Sequence, residues 1–596
     1  MDVINHGGVL TMKENPPKGS FYEVEEIVSL KHMLKNSAER YAERPAFLVK
    51  KERGGDYEQI KYSQLKTDVD AFGTGLLDLG LAGTKIAIIG ENCYEWIVTH
   101  LAVVNGVGVV VPLDKELNQE EIYNLLETAE CDAVVFTEAF EGIFKEYQIK
   151  HKIRMKVYGD RTDASEPLAE EPAVEGILNW TSLVARGETL LEQGDRRFLD
   201  NDPNPEEMRM LLFSSGTTGT AKGVMLCHRN IVNNILDTRR IVNITPEDRT
   251  LSLLPIHHTF ENTLGMLLIL YSGASAAFCE GLKYVTKNFA EAQATVLIGV
   301  PLIFESIYNK IWKQAEKSNL TGALKKAIKL SRFLKAAGIS AERKLFKTIH
   351  ASFGGKLRMM VTGAAAIDPN VCRGFEDFGI AVLQGYGLTE CSPLVSGTPD
   401  YSNRRKKAGS VGPVVPSGEL KIVDPDEDGI GEVVFKGPNV MLGYYKMPQE
   451  TANVLVDGWF YTGDLGFLDE DEWLYLTGRK KNVIVTKTGK NIYPEEIELY
   501  VNRNKYVRES MVHGVDEDED AGTIVGVQVH PAYETIYEDF GAEYDDASVY
   551  QLIKEVIKDV NLKLPVYKRI RNVSVRKDEF IKTTTKKIKR FKNITK

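Results

Sequence analysis

Between positions 214 and 223 the chain packs glycines, serines, threonines and a single lysine into ten residues, flanked by the apolar runs 210–213 and 224–226. Such a loop offers free backbone N–H groups and hydroxyl donors, and its glycines let the backbone approach a ligand closely. With the positive charge of Lys222 added, Ser214, Ser215, Gly216, Thr217, Thr218 and Gly219 form a candidate cradle for polyphosphate. The plain alternative is a flexible turn between two strands. A Walker A loop is excluded, because Ala221 precedes Lys222 and Gly223 follows it, where that motif needs Gly and Ser/Thr. A second grouping is QGYGLTE at 384–390. Tyr386 can stack on a purine and Thr389 can bond a phosphate. Glu390 can hold Mg²⁺, a cation that takes few carboxylates and many water and phosphate oxygens. The alternative is an ordinary turn with a capping glutamate. Asp464, in YTGDLG at 461–466, is an acceptor suited to two ribose hydroxyls, or simply a turn residue. His257 and His258 stand beside Phe260 and Glu261, where a histidine next to an aromatic is by default a partly buried core residue.

These residues need a scaffold. The spacing predicts helices over 30–41 and 62–79 and a strand over 46–49. A βαβ unit follows, with strand 85–90, helix 94–104 and strand 107–112, then helix 119–128 and strand 133–136. It has no GxGxxG, so no dinucleotide site is indicated. Residues 160–207 read as an acidic, Pro-rich excursion. Beyond the glycine-rich loop come helix 230–241 and strand 251–255, then strands at 358–361 and 381–383. Short alternating runs over 409–476 imply a small barrel-like β subdomain, and 482–596 alternates strands and helices. Residues 301–356 read as a helical insertion, with Leu320, Leu324, Ile328, Phe333 and Leu334 near one face and lysines around the rest. A basic amphipathic helix can lie on an anionic membrane; the ordinary reading is a solvated face covering a core.

At 596 residues two or more folded units are expected, and 43% hydrophobic with 27% charged residues fit a globular protein. A net charge of −10 argues against non-specific nucleic-acid binding. Six cysteines without CxxC spacing suit a reducing cytoplasm and give no zinc or disulfide framework. Residues 1–20 read as disordered, without a signal peptide. The apolar stretches 97–113 and 264–279 are too short to span a bilayer and read as helix-then-strand units. No signal for an oligomeric state is present.

The motifs SSGTTGTAKG, the histidine–aromatic pair, QGYGLTE, YTGDLG, TGRKKN and IKTTTKKIKR resemble, in order and spacing, those of the AMP-forming acyl-adenylate ligase superfamily, and most of all long-chain fatty acid–CoA ligases. The resemblance implies an α/β fold: a large N-terminal domain of two stacked α/β sheets plus a distorted β-barrel (21–477), a hinge (478–482) and a small mobile α+β C-terminal domain (483–596). It implies ATP, Mg²⁺ and coenzyme A as co-substrates and cofactors, and a fatty acid as the substrate. Gly363, Ala364, Gln384, Gly385 and Gly387 would line the nucleotide site. Arg479 would contact ribose, Lys481 would be the pivot, His258 would sit beside the acyl pocket and Lys587 would be the catalytic lysine. Ile581 and Lys586 stand where the superfamily usually has Pro and Gly, which leaves Lys586 as the other candidate. The implied reaction joins the carboxylate to AMP with release of pyrophosphate, then passes the acyl group to coenzyme A. The alternatives are another carboxylic acid, or an acyl carrier protein as acceptor. The implied location is cytoplasmic, with contact at the inner membrane face if the basic insertion lies on lipid.

Overall fold

The computed structural model describes residues 9–11, 21–155, 175–214, 221–402, 404–486, 490–516, 523–541, 544–583 and 587–594. The chain divides into two compact units, one of residues 14–419 with 436–458, the other of 1–13, 420–435 and 459–596.

The larger unit is built on two eight-stranded sheets. The first runs Gly443–Tyr444, Lys222–Cys227, Met208–Ser214, Val109–Pro112, Lys85–Ile89, Ala133–Thr137, His151–Met155, Leu178–Asn179. From Met208–Ser214 onward its strands are parallel. Strands such as KIAII and AVVFT are continuous apolar runs because helices cover both faces of a parallel sheet. The second sheet runs Leu394–Gly397, Ala381–Gly387, Met359–Thr362, Val296–Gly299, Arg249–Ser252, Ser275–Phe278, Pro45–Lys50, Tyr57–Lys61, with an antiparallel strand at each edge. In open α/β sheets ligands gather at the carboxyl ends of the strands. Ser214, Gly363 and Gly387 all fall at such ends.

Three local readings change. The strand expected to stop at position 383 continues to Gly387, because Leu394–Gly397 pairs with it antiparallel and Gly387 faces Leu394. A Cβ at position 387 would lie 2.0 Å from the Pro393 carbonyl, so this close approach requires glycine. Residues 9–11, inside the segment read as disordered, pair with Lys421–Val423. The apolar stretches at 97–113 and 264–279 do become helix then strand, but each helix contains a π-helical segment, Val103–Val107 and Phe260–Leu267. Among the described residues no helix is long and apolar enough to cross a membrane.

The insertion folds as Pro301–Lys317, Thr321–Ala336, Glu342–Leu345 and Lys347–Ser352. Its apolar side chains do not share one face. Leu324 and Ile328 pack on the core, whereas Leu320 and Phe333 are exposed. At 100° per residue Phe333 lies more than a third of a turn from Ile328, which separates them.

In the other unit Val9–Thr11, Glu419–Val423, Gly431–Lys436, Trp459–Leu468 and Leu474–Arg479 follow one another in a sheet. Val507–Asp516 and Thr523–Pro531 form a hairpin that Ile570–Val575 joins in parallel. Helices Pro494–Asn502 and Asp546–Asn561 cover it, burying Ile497, Val501, Ile553 and Ile557 against Val512 and Val527. The expected hinge, 478–482, lies within this unit.

Candidate active site

The glycine-rich loop closes a hairpin. Ser214 and Lys222 are directly opposed across the strand pair, and the Ser214 hydroxyl donates to the Lys222 carbonyl at 3.4 Å. Ser215, Gly216, Thr217, Thr218 and Gly219 lie outside the described residues. Lys222 reaches across to Tyr444, its Nζ 4.9 Å from the ring centroid, and pairs with the Glu450 carboxylate. Tyr444 in turn donates its hydroxyl to Glu390 Oε1 at 2.9 Å. One phenol thus links the candidate phosphate lysine to the candidate metal ligand. Burial, then the Glu390 charge, raises the Tyr444 phenol far above its ordinary value, so it stays a donor.

Backbone bonds fix this grouping. Met441 N–H donates to the Glu390 carbonyl at 2.8 Å, and Tyr445 N–H to that of Gly223 at 2.7 Å. Glu390 sits in a 3₁₀ turn, Thr389–Cys391, directly after the strand that carries Gln384, Gly385, Tyr386 and Gly387. Tyr386 is buried, whereas Thr389 and Glu390 are half-buried. Among the described residues Glu390 Oε2 takes no hydrogen bond, and no cluster of three His, Cys, Asp or Glu side chains stands ready to ligate a metal. A single carboxylate with one free oxygen fits Mg²⁺, which completes its octahedron with water and phosphate oxygens.

Gly363 and Ala364 follow the strand Met359–Thr362. Ala364 has φ +70°, a left-handed conformation unusual for a residue with a side chain. A Cβ on Gly363 would meet the Gly385 carbonyl and the Phe260 ring, both at 3.3 Å. The histidine–aromatic segment and QGYG are therefore brought together around Gly363. His258 N–H donates to the Pro255 carbonyl, so a tight turn sets the spacing between them. His258 is half-buried with its ring 4.2 Å from that of His257. Burial drives His257 far below the ordinary imidazole range, so Asp114, 3.7 Å away, faces a neutral ring. Glu261 is fully buried against Ser252, whose hydroxyl donates at 2.7 Å, and burial pushes its carboxyl up to about 8.

The other unit carries the remaining candidates. Asp464 and Arg479 face each other across two paired strands, with Arg479 Nε 2.9 Å from Asp464 Oδ1. Lys480 pairs with Glu432 at 2.7 Å, and Lys481 is the middle residue of the 3₁₀ turn Lys480–Asn482. Lys587 is paired with Thr583: Thr583 N–H donates to the Lys587 carbonyl at 2.8 Å, and Lys587 N–H to Thr583 Oγ1 at 3.1 Å. Lys586 lies outside the described residues. Three residues on, Arg590 meets Glu498 at 2.6 Å and Glu495 at 3.2 Å.

Tyr444 and Glu450 are the members of this arrangement that the sequence did not single out. Their segment, GYYKMPQE, shows only a proline suited to a helix start, and their partners stand 54 and 228 positions away.

Residues 34–445 match the AMP-binding enzyme family, and 481–595 match its C-terminal domain. The chain belongs to the AMP-binding enzyme family. Among members of the family, long-chain-fatty-acid–CoA ligase 1 of Homo sapiens is 30% identical over 77% of this chain and 68% of its own. Long chain acyl-CoA synthetase 7, peroxisomal, of Arabidopsis thaliana is 28% identical over 87% and 76%. The crystal structure of ATP-bound MatB from Rhodopseudomonas palustris superposes with a TM-score of 0.69 at 26% identity, covering 94% of this chain and 98% of that one. The anthranilate CoA ligase AuaEII has the same fold, with a TM-score of 0.73, 19% identity and coverage of 95% and 96%.

Proposed function

We propose that this AMP-binding enzyme is a long-chain fatty acid–CoA ligase: it joins a fatty acid to AMP with release of pyrophosphate, then transfers the acyl group to coenzyme A. The observation that carries the reading is the Lys222–Tyr444–Glu390 grouping, a cation and a carboxylate held by one buried phenol at the end of a glycine-rich loop. Relatives named as long-chain ligases support the substrate, and the ATP-bound MatB neighbour supports the nucleotide.

A carboxylate is a weak acyl donor, so it must first displace pyrophosphate from the ATP α-phosphate. Positioning and charge neutralisation do most of the work in such displacements. Lys222 and the 214–219 loop bind the departing phosphates, and Lys222 must exchange Glu450 for them. Mg²⁺ bound at Glu390 would neutralise further phosphate charge. Tyr444 holds the Glu390 carboxylate in place. Asp464 accepts from the ribose hydroxyls with Arg479 beside it, and Tyr386 with Gly363, Ala364, Gln384, Gly385 and Gly387 takes the base and α-phosphate. Thr389 donates to phosphate. His258 and Phe260 border the acyl group. Lys587 stabilises the negative charge that develops on phosphate. The coenzyme A thiol then attacks the acyl-AMP carbonyl, with AMP as the leaving group. Lys587 must withdraw before the thiol enters, and we assign that movement to rotation of the C-terminal domain about Lys481. None of the six cysteines forms a disulfide among the described residues.

Acyl-CoA formation measured over carboxylic acids of two to twenty carbons, with coenzyme A or an acyl carrier protein as acceptor, tests the reading. Each buried methylene is worth about 0.8 kcal/mol, so efficiency is expected to rise steeply toward long chains. Equal efficiency with acetate and palmitate, or transfer to the carrier protein alone, overturns it.

A further inference from the structure

The helix Thr321–Ala336 has two faces of different character. Leu324, Ile328 and Ser331 point inward: Leu324 and Ile328 join the core, and Ser331 donates to the Asp377 carbonyl. Two cations tie the helix to the body, Arg332 to Asp377 at 2.6 Å and Lys335 to Glu342 at 3.6 Å. The opposite stripe, spaced at three and four residues, is Lys326, Lys329, Leu330 and Phe333. Leu330 is exposed and Phe333 is 72% exposed. Among the described residues Lys325, Lys326 and Lys329 form no ion pair, in contrast to Arg332 and Lys335. Just past the helix, Ile339 is also exposed. There Lys335, Ile339, Arg343, Arg358 and Arg404 line a cavity of about 370 Å³ that holds the carboxylates of Glu342 and Glu376.

The segment around this helix is strongly basic. Residues 301–356 hold twelve Lys and Arg against three Glu, a net +9, so a chain of net −10 carries −19 elsewhere. A strongly basic segment of an acidic protein, whose outermost side chains are an aromatic and a leucine between lysines, has the pattern of a surface that meets anions and hydrocarbon together. An acidic protein partner would satisfy the lysines and leave Phe333 in water. A bilayer of anionic phospholipid satisfies both, with headgroup phosphates at the lysines and the ring at the acyl boundary.

We propose that the outward face of the helix Thr321–Ala336, with Lys326, Lys329, Leu330 and Phe333 at its centre, docks this protein on an anionic phospholipid surface. The docking stands on the surface residues alone. Its consequence, that a membrane-dissolved fatty acid is taken up at that surface, rests on the substrate class proposed above.

The test is cosedimentation of the full chain with vesicles of equal phosphatidylglycerol and phosphatidylcholine, against pure phosphatidylcholine vesicles, in 50 to 500 mM salt, without substrates. The wild type is expected to bind the anionic vesicles, to release as salt rises, and to ignore the neutral ones. Phe333→Ser is expected to weaken partitioning roughly tenfold, since it removes one buried aromatic contact. Lys326→Glu with Lys329→Glu is expected to weaken it at least roughly thirtyfold. Pyrophosphate release with a water-soluble carboxylic acid is expected to stay at the wild-type rate in both variants, which shows that they fold. Binding that is equal on neutral vesicles, or that persists unchanged in both variants because the lysine-rich C-terminus carries it, overturns the proposal. So does retention of a DNA duplex at salt where anionic vesicles are ignored. If the docking holds but no fatty acid is activated, the substrate reading fails and the docking surface stands.

Discussion

Replacing Tyr444 by phenylalanine removes one oxygen and leaves the ring where it is. The lost group is the hydroxyl that donates to Glu390 Oε1 at 2.9 Å; the ring contact with Lys222, at 4.9 Å, remains. A hydrogen bond to a charged group is worth about 1.5–3 kcal/mol net. Glu390 is only half-buried, so the lower end applies, and about 1.5 kcal/mol is roughly tenfold in rate. Tyr444→Phe is therefore expected to lower pyrophosphate release roughly tenfold and to raise the Mg²⁺ concentration needed for half-maximal rate, because a loosely held carboxylate is a poorer partner for a cation with strict geometry. Affinity for Mg·ATP, measured calorimetrically in Tyr444→Phe, Glu390→Gln and the double variant, separates positioning from a general loss of packing. With Glu390 already neutral, the phenol has no charge to hold, and the added tyrosine substitution is expected to cost less than about twofold. Wild-type rate and Mg²⁺ requirement in Tyr444→Phe, or fully additive effects in the cycle, refute the assignment.

Glu450→Gln removes the carboxylate that Lys222 must leave when ATP arrives; an exposed ion pair is worth at most about 1 kcal/mol, so KM for ATP is expected to fall by up to roughly fivefold in steady-state assays. Glu261 keeps its proton up to about 8 in the fold, against 4.5 for an ordinary glutamate, so the folded state holds the extra proton between those values and stability falls as pH rises through them. Glu261→Gln abolishes that titration, and its Tm relative to wild type is expected to climb from pH 5 to pH 8; parallel Tm curves contradict this. Lys587→Ala is expected to cripple adenylation by roughly a hundredfold and to spare thioester formation from supplied acyl-AMP. The same split in Lys586→Ala, with Lys587→Ala unaffected, moves the role one residue.

Much of the scaffold was legible because its signals are local. The runs KIAII and AVVFT announce buried strands, and the helices starting at Leu30, Tyr62 and Gln119 follow the apolar spacing. The strand through QGYG was not legible, since glycines argue against a strand until Leu394–Gly397 supplies a pairing partner. The face of the insertion was misjudged for a related reason. Amphipathic spacing shows that apolar side chains recur, but only the packed helix shows that Ile328 turns inward and Phe333 outward. Residues whose type declares a possible chemistry, such as Glu390, Asp464 and Lys222, could be singled out in sequence as candidates. Tyr444 could not, because its meaning lies in two contacts made across the fold.

The central claim is that the carboxylate itself attacks the α-phosphate of ATP. Incubating the enzyme with coenzyme A, ATP and palmitate labelled with heavy oxygen in both carboxylate positions, then reading the products by mass spectrometry, tests it directly. One labelled oxygen in AMP, with unlabelled pyrophosphate and palmitoyl-CoA retaining the other, is the predicted result. ADP as the product, or label in a released phosphate with none in AMP, contradicts it.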